Sequence, residues 1–159
     1  FNYYIKDVFD FPPKFNGYIK ALIGVLTLLV NSFLTIRLLK KFELKIVNII
    51  LYSLLVISSM LVLWVVRPES FVTVSFVYYM FSSMVLPIQQ NTVSSLYNDS
   101  ADINLSIGYY NAIKMLGSVV GSLVAGFIYE LKPIYPFMLT TILFCFILFL
   151  NLRKSDDQL

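Results

Sequence analysis

Residues 108–130 read GYYNAIKMLGSVVGSLVAGFIYE, and the fold turns on how that stretch is understood. Four of the six glycines in the chain fall here: Gly108, Gly117, Gly121 and Gly126. Gly117, Gly121 and Ala125 recur at i, i+4 and i+8, and Ser118, Ser122 and Gly126 repeat that spacing one residue on. On a helix the two rows lie side by side and make one broad face almost without side chains. In water such a helix would be poor, because each interior Gly costs ~1 kcal/mol relative to Ala. In lipid the same strip lets a second helix come close, and dispersion between backbones replaces the hydrophobic drive that lipid removes.

Composition agrees with a membrane setting. Hydrophobic residues make up 58% of the chain and charged residues only 13%, where a soluble domain carries roughly 25% charged. Mean hydropathy is +0.80. The net charge of +3 is scattered, with no basic stripe interleaved with aromatics, so nucleic acid is not a partner the sequence suggests. Histidine is absent, which removes the commonest general base and the commonest transition-metal ligand. Cys145 is the one cysteine, so no intrachain disulfide can form. No paired acids or metal-spaced ligands stand out. Neither an enzyme nor a cofactor or metal site is expected.

Outward from the glycine stretch, apolar runs of spanning length alternate with breakers. FNYYIKDVFDF at the start reads as the last turns of an interrupted helix, so the sequence is expected to be a fragment of a longer protein. Phe11-Pro12-Pro13 and Asn16-Gly17 are breakers, which predicts a loop there. Spans are predicted at about 18–38, 46–66, 71–96, 108–130 and 134–152. The first carries Lys20, Gly24, Thr27 and Asn31 along one face. A polar stripe on a lipid-embedded helix points at protein or at water. The third span contains Pro87, which removes a backbone donor and predicts a bend. Tyr79, Ser83, Gln90 and Ser94 can share one of its faces. Residues 97–107 read as a polar, acidic loop, and RKSDDQL as a soluble tail.

Five spans place Arg37, Lys40, Lys41, Lys45, Arg153 and Lys154 on one side, against Lys6, Lys14, Arg67 and Lys132 on the other. The positive-inside rule puts the first group, and the C-terminus, in the cytoplasm. Lys20 lies close enough to the outer boundary to snorkel. On these predicted bounds Lys114 sits ~9 Å from the inner end of its helix, and a charge inside a span is a functional suspect by default.

These features together resemble the C-terminal half of a major facilitator superfamily transporter. GSVVGSLVAG (Gly117–Gly126) is similar to the family's G-x-x-x-G-P-x-x-G-G antiporter motif, with Ser122 in place of Pro and Ala125 in place of Gly. NSFLTIRLLKKF (Asn31–Phe42) looks like a degenerate copy of the G-x-x-x-D-R-x-G-R-R-K loop, in which only the basic cluster Arg37, Lys40 and Lys41 survives. The order Pro87-Ile88-Gln89-Gln90-Asn91, polar loop, Gly108-Tyr109-Tyr110-Asn111, glycine helix, Tyr129-Glu130 resembles the drug:proton antiporter branch.

The resemblance implies an all-α membrane protein: the C-terminal six-helix half of the bundle, with five complete spans and the end of a sixth. It implies the cell membrane, lipid bilayer contact, a small-molecule substrate, protons, and the N-terminal half of the same transporter as partners. The seventh, eighth, tenth and eleventh helices would line the cavity, and the ninth and twelfth would be peripheral, the would-be twelfth being the greasiest. The function expected is alternating-access efflux of a drug-like or amphipathic metabolite, coupled to protons. An uptake permease of the same fold and a non-transporting packing or assembly subunit stay open. The expected substrate-path residues are Thr27, Asn31, Tyr79, Ser83, Gln90, Asn111, Lys114 and Ser118. Gly117, Gly121, Ser122, Gly126 and Pro87 are expected to serve packing and hinging.

Overall fold

The computed structural model describes residues 2–10, 12–65, 67–97 and 99–156. Phe11 of the first breaker, Val66 at the end of the second predicted span, Asn98 of the acidic loop and the last three tail residues lie outside the described residues. So does the side chain of Lys154. Among the described residues every regular element is a helix, and five helices are long and apolar enough to cross a membrane.

A short helix α1 (Asn2–Phe9) comes first. Asp10 ends it at φ 52, and its N–H donates to the Lys6 carbonyl at 3.1 Å. Aspartate is among the few residues that adopt this left-handed cap readily. The next helix starts at Pro13, earlier than the breakers predicted: α2 is Pro13–Leu29. A proline in the first turn loses nothing, because its missing N–H has no intrahelical partner there. α2 runs without a break through a π-helical segment, Val30–Thr35, into α3, Ile36–Lys41. Phe42 and Glu43 are extended and turn the chain into α4, Leu44–Trp64.

α5 is Pro68–Ser94 and is assigned as helix straight through Pro87. α6 is Ser100–Leu131, so residues 100–107, expected as loop, belong to the helix. The cause is a cap: Asp99 Oδ1 accepts from the Ala101 N–H at 3.1 Å, and Asp102 sits in the positive first turn. α7 is Tyr135–Asp156.

Two apolar clusters show that the helices alternate in direction. One joins Ile5, Ile19, Val62 and Phe71, with Tyr4, Phe9 and Phe137 against them. It therefore gathers α1, the start of α2, the end of α4, and the starts of α5 and α7 at one end of the bundle. In it, Tyr4 stacks on Phe71 at 4.9 Å and meets Phe137 edge-on at 5.2 Å. The other cluster joins Val30, Val47, Leu51, Tyr52, Leu55, Met84 and Ile88, with Phe144 and Ile147 packed on it.

α4 is the centre of both. The most apolar span is Leu44–Trp64, at mean hydropathy 2.5 against 2.0 for Tyr135–Arg153. That corrects the expectation that the last span is the greasiest. It also makes α4, the would-be peripheral ninth helix, the most enclosed one in this chain. A helix apolar all round is suited to burial between neighbours, and α4 lies between α5 and α7. α7 packs on α4, with Thr141 its one buried residue among those described.

A knot of amides and hydroxyls ties α4 to α5. Gln89 Nε2 donates to Asn48 Oδ1 at 3.1 Å and to the Tyr52 hydroxyl at 2.9 Å. Asn48 Nδ2 donates to Thr92 Oγ1 at 3.2 Å and to the Leu44 carbonyl at 2.9 Å. Thr92 Oγ1 in turn donates to the Ile88 carbonyl at 2.9 Å. The amide donors of Asn48 and Gln89 all find acceptors, which is what a polar network in an apolar interior needs to stabilise rather than strain it.

Two measurements check this account, both by denaturant or thermal titration of the detergent-solubilised protein. Leu55 is fully buried at 0% exposure, so Leu55→Ala is expected to cost about 2–5 kcal/mol, and Leu150→Ala on the outer face no more than about 0.5 kcal/mol. Gln89→Leu strips donors from Asn48 and Tyr52 and is expected to cost about 0.6–1.7 kcal/mol. No measurable cost for Gln89→Leu would show that the α4–α5 knot contributes nothing to stability.

Candidate functional site

The polar residues that the sequence singles out fall in three separate places. The first is an open groove on one side of α2 and the π segment, lined by Gly24, Thr27, Leu28, Asn31, Ser32 and Ile36, of about 450 Å³. Thr27 and Asn31 are half-buried, and Thr35 Oγ1 donates to Asn31 Oδ1 at 3.1 Å. This bond uses one Asn31 oxygen lone pair and leaves the amide's two N–H donors for the groove.

The second place is the contact between α5 and α6. Gln90 Nε2 donates to Asn111 Oδ1 at 3.2 Å, so two residues predicted on different spans meet as a pair. Farther along α6, Lys114 and Ser118 are exposed. The longer helix moves Lys114 inward: it lies about 21 Å along the axis from Ser100, near the middle of α6, instead of close to the inner end. Gly117, Gly121 and Gly126 have nothing within 4 Å of where a Cβ would sit, and no residue of α6 is buried. The three glycines of the strip thus meet none of the described residues.

The third place is a cavity of about 250 Å³ between α4, α5, α6 and α7. Tyr79, the one expected residue in it, stands beside Tyr78 with ring centroids 5.5 Å apart. The rest of its polar lining is hydroxyl: Ser59, Ser75, Tyr78, Ser82, Tyr129 and Thr140. The Ser59 and Thr140 hydroxyls donate to the carbonyls of Val56 and Pro136, at 2.9 and 2.8 Å. The Tyr129 hydroxyl donates to Asp7 Oδ2 at 3.1 Å, linking the end of α6 to α1. Ser83 lies off this cavity, its hydroxyl donating to the Met80 carbonyl at 2.8 Å.

The chain alone therefore does not gather its eight expected path residues round one hollow. The hydroxyl set and the Asn48–Gln89 knot were missed. The signal was present: Ser75, Tyr78, Tyr79 and Ser82 recur at i, i+3, i+4 and i+7, a one-face spacing on α5, as Asn48 and Tyr52 do on α4. What could not be read was which of several mildly polar faces turns inward. Among the described residues no three His, Cys, Asp or Glu side chains converge as a metal site would require.

No curated protein and no solved structure matches the chain. The model of the Major Facilitator Superfamily matches residues 1–158, nearly its entire length, and on that match this bundle of apolar helices belongs to the Major Facilitator Superfamily of membrane transporters.

Proposed function

We propose that this chain forms the C-terminal half of a carrier that moves a small molecule by alternating access. Its N-terminal half faces the open sides of α2 and α6. Transport is proton-coupled efflux of a drug-like or amphipathic compound at the cell membrane, with the C-terminus in the cytoplasm. The antiporter-like glycine run Gly117–Gly126 favours efflux over uptake, and the basic set at Arg37–Lys45 favours that orientation.

One observation carries the reading: α6 holds a cation near its middle and yet has no buried residue. A charge at the centre of a lipid-facing helix costs at least ~2.5 kcal/mol. A glycine strip facing lipid also gives up the close backbone contacts that would repay it. Both deficits vanish if that face of α6 looks onto a second bundle and a wet path between the two. Thr27 and Asn31 on the open side of α2, and Gln90 and Asn111 beside α6, supply neutral donors and acceptors along such a path. Pro87 gives α5 its point of lowest bending resistance, because the proline cannot donate to the Ser83 carbonyl.

Purified protein in liposomes, loaded with fluorescent amphipathic dyes and given a proton gradient in either direction, tests this. Asn31→Leu and Lys114→Leu are each expected to slow dye movement about tenfold, the rate equivalent of ~1.4 kcal/mol, while insertion and thermal midpoint hold. Transport that runs down the imposed proton gradient in the uptake sense would replace efflux with uptake. Variants that assemble poorly but leave rates untouched would point to a packing subunit.

A further inference from the structure

We propose that the elbow between α3 and α4 is a binding site for an anionic phospholipid, with the phosphate held at the elbow and one acyl chain in the groove beneath it. The elbow holds Arg37, Lys40, Lys41 and Lys45, all exposed, against the single carboxylate of Glu43. It also holds the N-terminal end of α4, a 21-residue helix whose N-cap residue Glu43 makes no side-chain cap. Val47 N–H is satisfied by the Glu43 carbonyl at 3.0 Å. The earlier first-turn N–H groups are thus left for an external acceptor, at the positive end of the helix dipole. A phosphate oxygen is the acceptor such an end accommodates.

What distinguishes this elbow from a generic basic loop is the groove that opens beside it. Leu34, Leu38 and Phe42, at i, i+4 and i+8, form one wall, Val47 and Leu54 stand on the α4 side, and Met84 of α5 lies at the floor. The volume is about 200 Å³, and every lining side chain is a hydrocarbon, aromatic or thioether. Charge and groove meet at one residue pair: Lys41 Nζ lies 5.5 Å from the centroid of the Phe42 ring, which lines the groove. From Val47 to Leu54 the groove descends about 10 Å along α4, from headgroup height into the hydrocarbon. An anion with a long apolar tail matches both parts. A free phosphate would use only the elbow, and a zwitterionic lipid would bring its own cation against the four already there. This inference rests on the membrane setting alone and not on substrate, direction or coupling.

The test is lipid retention by the full chain, released from nonionic detergent micelles in a native mass spectrometer. Phosphatidylglycerol and phosphatidylcholine of identical acyl chains are the probes. Phosphatidylglycerol is expected to be retained about tenfold better. Arg37→Gln, Lys40→Gln, Lys41→Gln and Lys45→Gln together should bring the two lipids to within about twofold. Ile50 lines the groove but is 43% exposed, so Ile50→Trp fills it from outside. Retention of phosphatidylglycerol should then drop about tenfold, with the thermal midpoint unchanged. Equal retention of the two lipids by the unaltered chain would overturn the proposal. So would undiminished retention by Ile50→Trp, or displacement by glycerol phosphate as effective as by the intact lipid.

Discussion

A bilayer offers no water, so each polar group placed inside it must find its partner within protein or lie on a wet surface. That constraint sorts every hydrophilic side chain in this molecule. Serine and threonine meet it locally: Ser53, Ser58 and Thr141 each donate to a carbonyl three or four residues back on their own helix. Such residues are nearly silent about neighbours. Carboxamides cannot close on themselves so easily, because each brings two donors as well as an acceptor. Asn48 and Gln89 must reach across to another helix, and they do. Lys114 meets it neither locally nor across a described helix and stands exposed.

The apolar part of the structure follows from the same solvent. Between helices in lipid, burying a leucine gains little transfer energy, so tight fit and dispersion decide which helices associate. α4 supplies that fit. Leu51, Tyr52 and Leu55 face α5 and α7 through one continuous cluster, and Ser58 and Ser59 are small enough to be almost fully covered, at 2% and 4% exposure. α6 also has small residues, but they face open space. Small residues therefore mark a possible approach, and only the neighbour's position tells whether it is used within one chain.

Helix number and type were legible because spanning length and apolar composition are properties of each segment alone. The boundaries were less so. The reading of residues 97–107 as loop took polarity as its signal, whereas Asp99 followed by Ala101 and Asp102 is a capped helix start. The π segment had no readable cause. VNSFLT is compatible with an ordinary helix, and nothing in the sequence marks its departure from one. Its consequence is geometric. An extra residue within a turn rotates everything beyond it by about 100°. Gly24, Thr27 and Asn31 thus line one groove while Leu34, Leu38 and Phe42 line another. Of the expected path residues, Gln90 and Asn111 were individually visible, but their pairing needed the relative rotation of two helices, which no single-helix pattern contains.

α5 divides the molecule into a tight side and a loose one. Towards α4 it is held by Met84 and Ile88, both essentially buried, and by the Asn48–Gln89–Tyr52–Thr92 knot. Both tethers lie close to Pro87 or beyond it, so the C-terminal part of α5 is fastened to α4 even though Pro87 cannot donate to its backbone ladder. Towards α6 it is joined by the Gln90–Asn111 amide pair, an interaction worth on average ~0.6 kcal/mol in a membrane interior. Displacing α4 against α5 would break the knot and open the core around Met84 and Ile88.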